Sequence, residues 1–199
     1  IVFGDWSSDV CSSDLIYYSI FTPSTNSWTS VKLLEKENEI TSEGNPVLYY
    51  DSETKRLWFF WVTMSRADYA KIPGGWSTCK VKCRHSDDLG DNWSAKKYLT
   101  HFWGRMTRNR LLRLSNGDVL LPLYSEWMRY RTNIWMATRK DFAKGAPQCK
   151  WKNIAGVGSK VLQPNLVELE PGHLLCYMRT AKNARSEERR VGKECRSRW

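Results

Sequence analysis

The chain has 199 residues, a formal net charge of +10, 13% aromatic residues and 11 tryptophans. No apolar run is long enough to span a bilayer, and no nucleic-acid-binding motif accompanies the basic charge. That charge favours an anionic partner, and it bears on fields and solubility rather than on fold.

In chain order, the first and last segments read as foreign. Residues 5–15, DWSSDVCSSDL, back-translate codon by codon into a short-read sequencing adapter. Residues 185–199, RSEERRVGKECRSRW, back-translate into the read-through of the opposite adapter. The front string has no basic start and no long apolar stretch, so it does not read as a signal peptide. We therefore expect residues 1–15 and 185–199 to be adapter-derived, and residues 16–184 to carry the fold. The charges of the two end strings cancel, so the middle keeps the full basic excess.

Within residues 16–184, one shape recurs: apolar strand, turn, apolar strand. It begins at Asn45 (NPVLYYDSETKRLWFFWV), at Asn109 (NRLLRLSNGDVLLPLY) and at Pro164 (PNLVELEPGHLLCYMR). The turns carry Asp51-Ser52, Asn116-Gly117 and Pro171-Gly172, the residue types that hairpins require. The runs are short, β-branched and aromatic, which favours strand over helix. Further strands are expected over 79–85 and 133–138, and two outer strands over 16–21 and 28–34. Residues 64–77, with Pro73-Gly74-Gly75, read as an inserted loop. The repeat of strand pairs predicts an all-β chain with no amphipathic helix.

Cys79 and Cys83 share a strand face about 13 Å apart, too far for a disulfide. The cysteine spacing also lacks a metal-ligand pattern. Free structural thiols, no metal and no cofactor are the expectation.

Residues 86–93, SDDLGDNW, fit S-x-D-x-G-x-x-W. This resembles the Asp-box, or BNR repeat, of the sialidase superfamily. Its chemistry is local: Gly90 permits the turn, the Asp88 side chain can bond turn amides, and Trp93 anchors the next strand, with Ser86 opening the box. Three further segments resemble sialidase blades in the family's order: Asn45-Pro46-Val47 with Asp51, then residues 112–117 with Pro122, then residues 167–172 with Arg179. The resemblance implies part of a six-bladed sialidase-type β-propeller, about two to three blades, from an exo-glycosidase acting on an anionic, sialic-acid-type terminal sugar. The isolated chain is expected to be inactive and poorly soluble, because an open propeller exposes strand edges.

Sialidases clamp the substrate carboxylate with three arginines, a use suited to bidentate guanidinium pairing. The resemblance makes Arg179 the second of these. It puts Gln163 where sialidases carry the glutamate that activates a tyrosine nucleophile, and an amide cannot take that proton. The remaining arginines, the acid and the tyrosine are expected outside the chain. Where the family has glycines, this sequence has Arg105, Thr107, Arg108, Asn109 and Arg110, so basic groups are expected to refill the cleft and to favour a sulfated or uronate-bearing glycan. A solvated basic loop is the plainer alternative. His101, just before that stretch, is a candidate base by its ordinary pKa. With it the same scaffold would be a polysaccharide lyase on uronates, as in the ulvan-lyase propellers; a non-catalytic glycan-binding propeller is the third reading. Trp58, Trp61, Trp76, Trp103 and Trp127 could stack on sugars or pack between blades. No compartment is written in the residues; a secreted or periplasmic location would suit a glycan target.

Overall fold

The computed structural model describes residues 15–36, 41–65, 75–126, 130–156 and 160–180. Both foreign-looking end strings, apart from Leu15, fall outside the described residues, as do most of the 64–77 insertion and Trp127.

The described residues are mainly β. Strands β1 (Ile16–Tyr18) and β4 (Lys32–Glu35) pair antiparallel, with the small hairpin β2 (Phe21–Thr22) and β3 (Ser27–Trp28) between them. Next comes a four-stranded sheet in sequence order: β5 (Thr41–Asp51), β6 (Arg56–Ser65), β7 (Lys80–Ser86) and β8 (Lys97–Tyr98). The second full sheet holds β9 (Arg105–Thr107), β10 (Leu112–Arg113), β11 (Val119–Ser125), β12 (Arg131–Ala137) and β13 (Lys152–Ala155). Strands β14 (Val161–Glu170) and β15 (His173–Thr180) form the inner pair of a third. Two complete blades, flanked by the end of one and the start of another, make a partial propeller.

The apolar run in β6 is continuous because both faces of the sheet are covered. Trp58 and Phe60 face the second blade, packing with Val119, Leu121, Leu123 and Phe142. Phe59 and Trp61, pointing the other way, pack with Ile16 and Leu34 of the preceding pair. A strand buried on both faces loses the alternation of a half-buried one. The single α-helix among the described residues, α1 (Arg139–Phe142), is one turn long, and Thr138 caps it by accepting from Asp141 N at 3.2 Å.

Local polar chemistry fixes the turns. Asp51 accepts from Glu53 N at 3.2 Å and Thr54 Oγ1 at 2.7 Å. Asn116 Oδ1 accepts from Asp118 N at 2.9 Å, and Gly117 takes φ 90°. The same end of the sheets carries the links between blades. The Arg113 guanidinium donates to buried Asp51 and to Gly117 O, and pairs with Glu53 at 3.1 Å. Glu168 of β14 reaches back to Ser115, accepting from its N at 2.7 Å and its Oγ at 3.1 Å.

The Asp-box also lies at this end, after β7. Ser86 Oγ accepts from Gly90 N at 2.7 Å. Asp88 accepts from Asn92 N at 2.8 Å, from Asn92 Nδ2 at 2.7 Å and from Ser86 Oγ at 2.7 Å. The bond from the Asn92 amide comes first among the causes that hold the Asp88 carboxyl down, at about 2. Gly90 adopts φ 110°, a conformation that a side chain would resist. Trp93 Nε1 donates to Gly90 O at 3.1 Å, and its ring meets Phe59 edge-on at 5.9 Å. The carboxylate of Asp88 is thus occupied with turn amides.

Candidate functional site

The opposite ends of the same strands carry a repeated irregularity. In β5 the register jumps between Gly44 opposite Val62 and Val47 opposite Phe60, so Asn45 and Pro46 together face Trp61. In β14 it jumps between Leu162 opposite Arg179 and Asn165 opposite Tyr177, so Gln163 and Pro164 face Met178. Asn45 and Gln163 both adopt left-handed backbone, with φ 49° and 57°. In the middle blade the inner strand is broken outright: Thr107 pairs with Leu123 and Leu112 with Leu120, leaving residues 108–111 opposite Leu121 and Pro122. Proline is tolerated where a ladder is interrupted, and bulges re-aim side chains beside sites. Each blade therefore presents its irregular dipeptide or loop toward the same end.

The break of the second blade and the bulge of the third meet at one open depression of about 320 Å³, lined by Arg108, Asn109, Gln163, Asn165, Tyr177, Met178 and Arg179. The bulges are tied to one another. Asn109 Nδ2 donates to Gln163 O at 3.2 Å and to Pro164 O at 2.7 Å, holding the third blade's bulge against the second. Asn45 Nδ2 donates to the buried Tyr124 hydroxyl at 3.2 Å, joining the first blade to the second. Burial raises the pKa of Tyr124 and the nearby Glu126 charge adds to this, while hydrogen bonds from Asn45 and Gln163 and the Arg108 charge oppose it. Tyr124 is thus a neutral hydroxyl under the cleft floor, not an ionised nucleophile.

The structure brings Gln163, Arg179, Arg108 and Asn109 together. Arg110 is exposed and does not line the depression. His101 is exposed on the loop leaving β8, with its ring 6.1 Å from Tyr98, and is not among the lining residues. The loop crosses from the outermost strand of one blade to the innermost of the next. Of the basic groups expected to refill the cleft, Arg108 lines the depression, while Arg105 and Arg110 do not. Arg105 is half-buried with its guanidinium 4.7 Å from the Trp135 ring, and burial lowers its pKa. Thr107 is fully buried. Trp58 and Trp61 are core residues, 2% and 0% exposed, and cannot reach a sugar. Trp103 is half-buried.

Sequence reasoning missed three residues here. Tyr177 is 52% exposed within the depression, an aromatic surface of the kind that sugars stack on. Tyr124 on β11 and Glu126 just past its end follow Pro122 at alternate positions, and period-2 alternation was the available signal. Of the described cysteines, Cys79, Cys83 and Cys176 are buried and Cys149 half-buried, none in a disulfide, and among the described residues no cluster of His, Cys, Asp and Glu could hold a metal. Among the described residues, no helix is long and apolar enough to cross a membrane.

Four-stranded blades, an Asp-box between the third and fourth strands, and a cleft at the inner-strand bulges define a partial sialidase-type β-propeller. The chain belongs to the BNR repeat-like domain family, whose model matches residues 11–197. Among solved structures it is similar to a Hadza microbial sialidase, with a TM-score of 0.67 and 17% identity, covering 90% of this chain and 37% of that one. It is similar to the Trypanosoma rangeli sialidase solved with sialic acid, with a TM-score of 0.59 and 14% identity, covering 79% and 28%. It is also similar to the intramolecular trans-sialidase of Ruminococcus gnavus solved with oseltamivir carboxylate, with a TM-score of 0.64 and 12% identity, covering 85% and 60%. The chain thus spans between 28% and 60% of the length of these three structures. No curated protein sequence matches it.

Proposed function

We propose that the parent propeller, of which residues 16–184 form a part, is a sialidase-like exo-glycosidase acting on a terminal sugar that carries a carboxylate. The observation that carries this reading is the convergence of Arg179 and Arg108 on one open depression with Asn109, Asn165 and Tyr177. Two guanidinium groups supply charge-assisted, bidentate donors for a carboxylate. The neutral amides suit ring hydroxyls, and the exposed tyrosine ring suits the apolar face of a sugar.

Gln163 occupies the bulge where the family resemblance puts a glutamate. An amide donates and accepts hydrogen bonds but does not accept a proton at neutral pH. If the parent protein hydrolyses a glycoside, the group that activates its nucleophile is therefore not residue 163. The same substitution favours a second reading, a propeller that binds its glycan without turnover.

The test uses the parent protein with a fluorogenic N-acetylneuraminic acid glycoside and a uronate-containing polysaccharide. Release of the fluorophore, abolished by Arg179→Ala, is the expected result. Ultraviolet-absorbing unsaturated products from the polysaccharide would replace the hydrolase reading with a lyase. Saturable binding without product would establish the binding reading, and neither binding nor product would sink the proposal.

A further inference from the structure

The depression offers a ligand many donors and few acceptors. Arg108 and Arg179 bring N–H groups alone, and no carboxylate stands among the described residues that line it. A sugar acid supplies the acceptors such a site lacks. Its hydroxyls also carry protons, however, and a proton taken out of water needs an acceptor in its turn.

Asn109 is placed to be that acceptor, because the third blade fixes its amide. Residues 108–111 fall between the paired stretches 105–107 and 112–113, so Asn109 lies outside the ladder. Its side chain makes the anchor instead: Nδ2 donates to Gln163 O at 3.2 Å and to Pro164 O at 2.7 Å. Successive carbonyls of a regular strand point to opposite edges. Here Gln163 sits in the bulge with φ 57°, and both carbonyls turn toward one amide. An amide nitrogen has two N–H donors, and both are spent. Turning the amide over would set Oδ1 against the same two carbonyls, so its orientation is not free. Oδ1 is left with its lone pairs. Among the described residues no donor reaches it, and it is open to solvent, whereas Asn45 Oδ1 in the first blade is buried without a partner.

We infer that Asn109 is a specificity-determining residue of the depression: its Oδ1 accepts from one free hydroxyl of the sugar whose carboxylate the two arginines hold. This rests on the reading that the depression receives a sugar acid. The acceptor and the cations share one short stretch of the seam between blades, since Arg108 precedes Asn109 in the chain and Arg179 pairs with Leu162, the neighbour of Gln163. The substrate class narrows accordingly. A sugar acid methylated, acetylated or sulfated at that hydroxyl brings no proton to Oδ1 and sets bulk against an amide that cannot turn aside. A deoxy sugar leaves Oδ1 without a donor.

The parent protein and its Asn109→Ala and Arg179→Ala variants are titrated calorimetrically with N-acetylneuraminic acid, D-glucuronic acid, methyl glucoside and the monodeoxy analogues of each. Wild type should bind one monodeoxy acid about tenfold more weakly than its parent acid, the scale of one hydrogen bond left unmade. In Asn109→Ala that ratio should fall to about one, with the ratios for the other analogues unchanged. A general loosening of the seam would instead move every ratio or none. Ratios that are all equal in wild type and Asn109→Ala overturn the inference. Carbon NMR of the Asn109 Cγ in wild type needs no variant. Its resonance should shift with the parent acid and stay with the deoxy analogue, and equal shifts overturn the inference. The functional reading fails separately. If Arg179→Ala binds the acids as wild type does, the carboxylate reading falls, while a ratio lost in Asn109→Ala keeps the acceptor role. If only the methyl glucosides bind, the same comparison of ratios decides for Asn109, and if no sugar binds, both fall.

Discussion

Arg113→Ala is expected to loosen the joint between the two complete blades by about 3 kcal/mol. In the native protein the guanidinium of Arg113 is 18% exposed and meets Asp51, which is 1% exposed. The same group donates to Gly117 O at 2.8 Å and to the Tyr49 hydroxyl at 3.3 Å, and pairs with Glu53 at 3.1 Å. Removing one partner of a buried ion pair typically costs about 3–5 kcal/mol, because the other charge is left desolvated. Asp51 keeps its bonds from Glu53 N and Thr54 Oγ1, which places the expected loss at the lower end of that range. The assay is equilibrium urea unfolding of the parent propeller, followed by tryptophan fluorescence. Trp58 makes a local reporter, because it is buried at this joint against Phe142, with ring centroids 6.1 Å apart. A loss below about 1 kcal/mol would refute the argument, since that is the scale of an exposed pair. The double variant Asp51→Asn with Arg113→Met should recover much of the loss, because the uncompensated charge is then gone.

Asp88, held down by turn hydrogen bonds, should titrate at about 2 by carbon NMR. The stability it contributes is present above the unfolded carboxyl's pKa and fades as pH falls through that window. Asp88→Asn should shift this acid limb without changing ligand affinity, and a change in affinity would contradict its structural assignment. Burial, first among the causes, pushes the Cys83 and Cys149 thiols up to about 12. Iodoacetamide at pH 8 should therefore modify neither at an appreciable rate until urea unfolds the chain. Fast native labelling would show that these thiols are open to solvent.

The parts of the fold carried by local chemistry were legible in the residues. The hairpin turns at Asp51 and Asn116-Gly117 work through bonds within a few positions of themselves, as does the Asp-box from Ser86 to Trp93. Arg179 and Gln163 could be aligned because the blade motifs occur in order. What depends on contacts between blades was not legible. Nothing local distinguishes Arg105, stacked on Trp135, from Arg108, which lines the depression; the break in the inner strand after Thr107 decides it. Trp58 and Trp61 could not be assigned to sugar stacking or to packing between blades, because continuous apolar strands do not announce that both faces are covered. Asn45-Pro46 and Gln163-Pro164 stood at the starts of two of the repeated strand pairs, where the repeat itself did not mark a bulge. Their shared end and left-handed geometry became apparent only from the register.

That repeated bulge gives the propeller a set of equivalent sockets around its axis. In each socket the backbone departs from the ladder by itself, so the side chain held there is not needed to sustain strand pairing. Asn45 and Gln163 hold the same left-handed backbone setting in two blades, while Arg108 stands in the broken inner strand of the blade between them. The chemical character of the mouth can therefore be rewritten one residue at a time, while the strands beneath continue to pair unchanged.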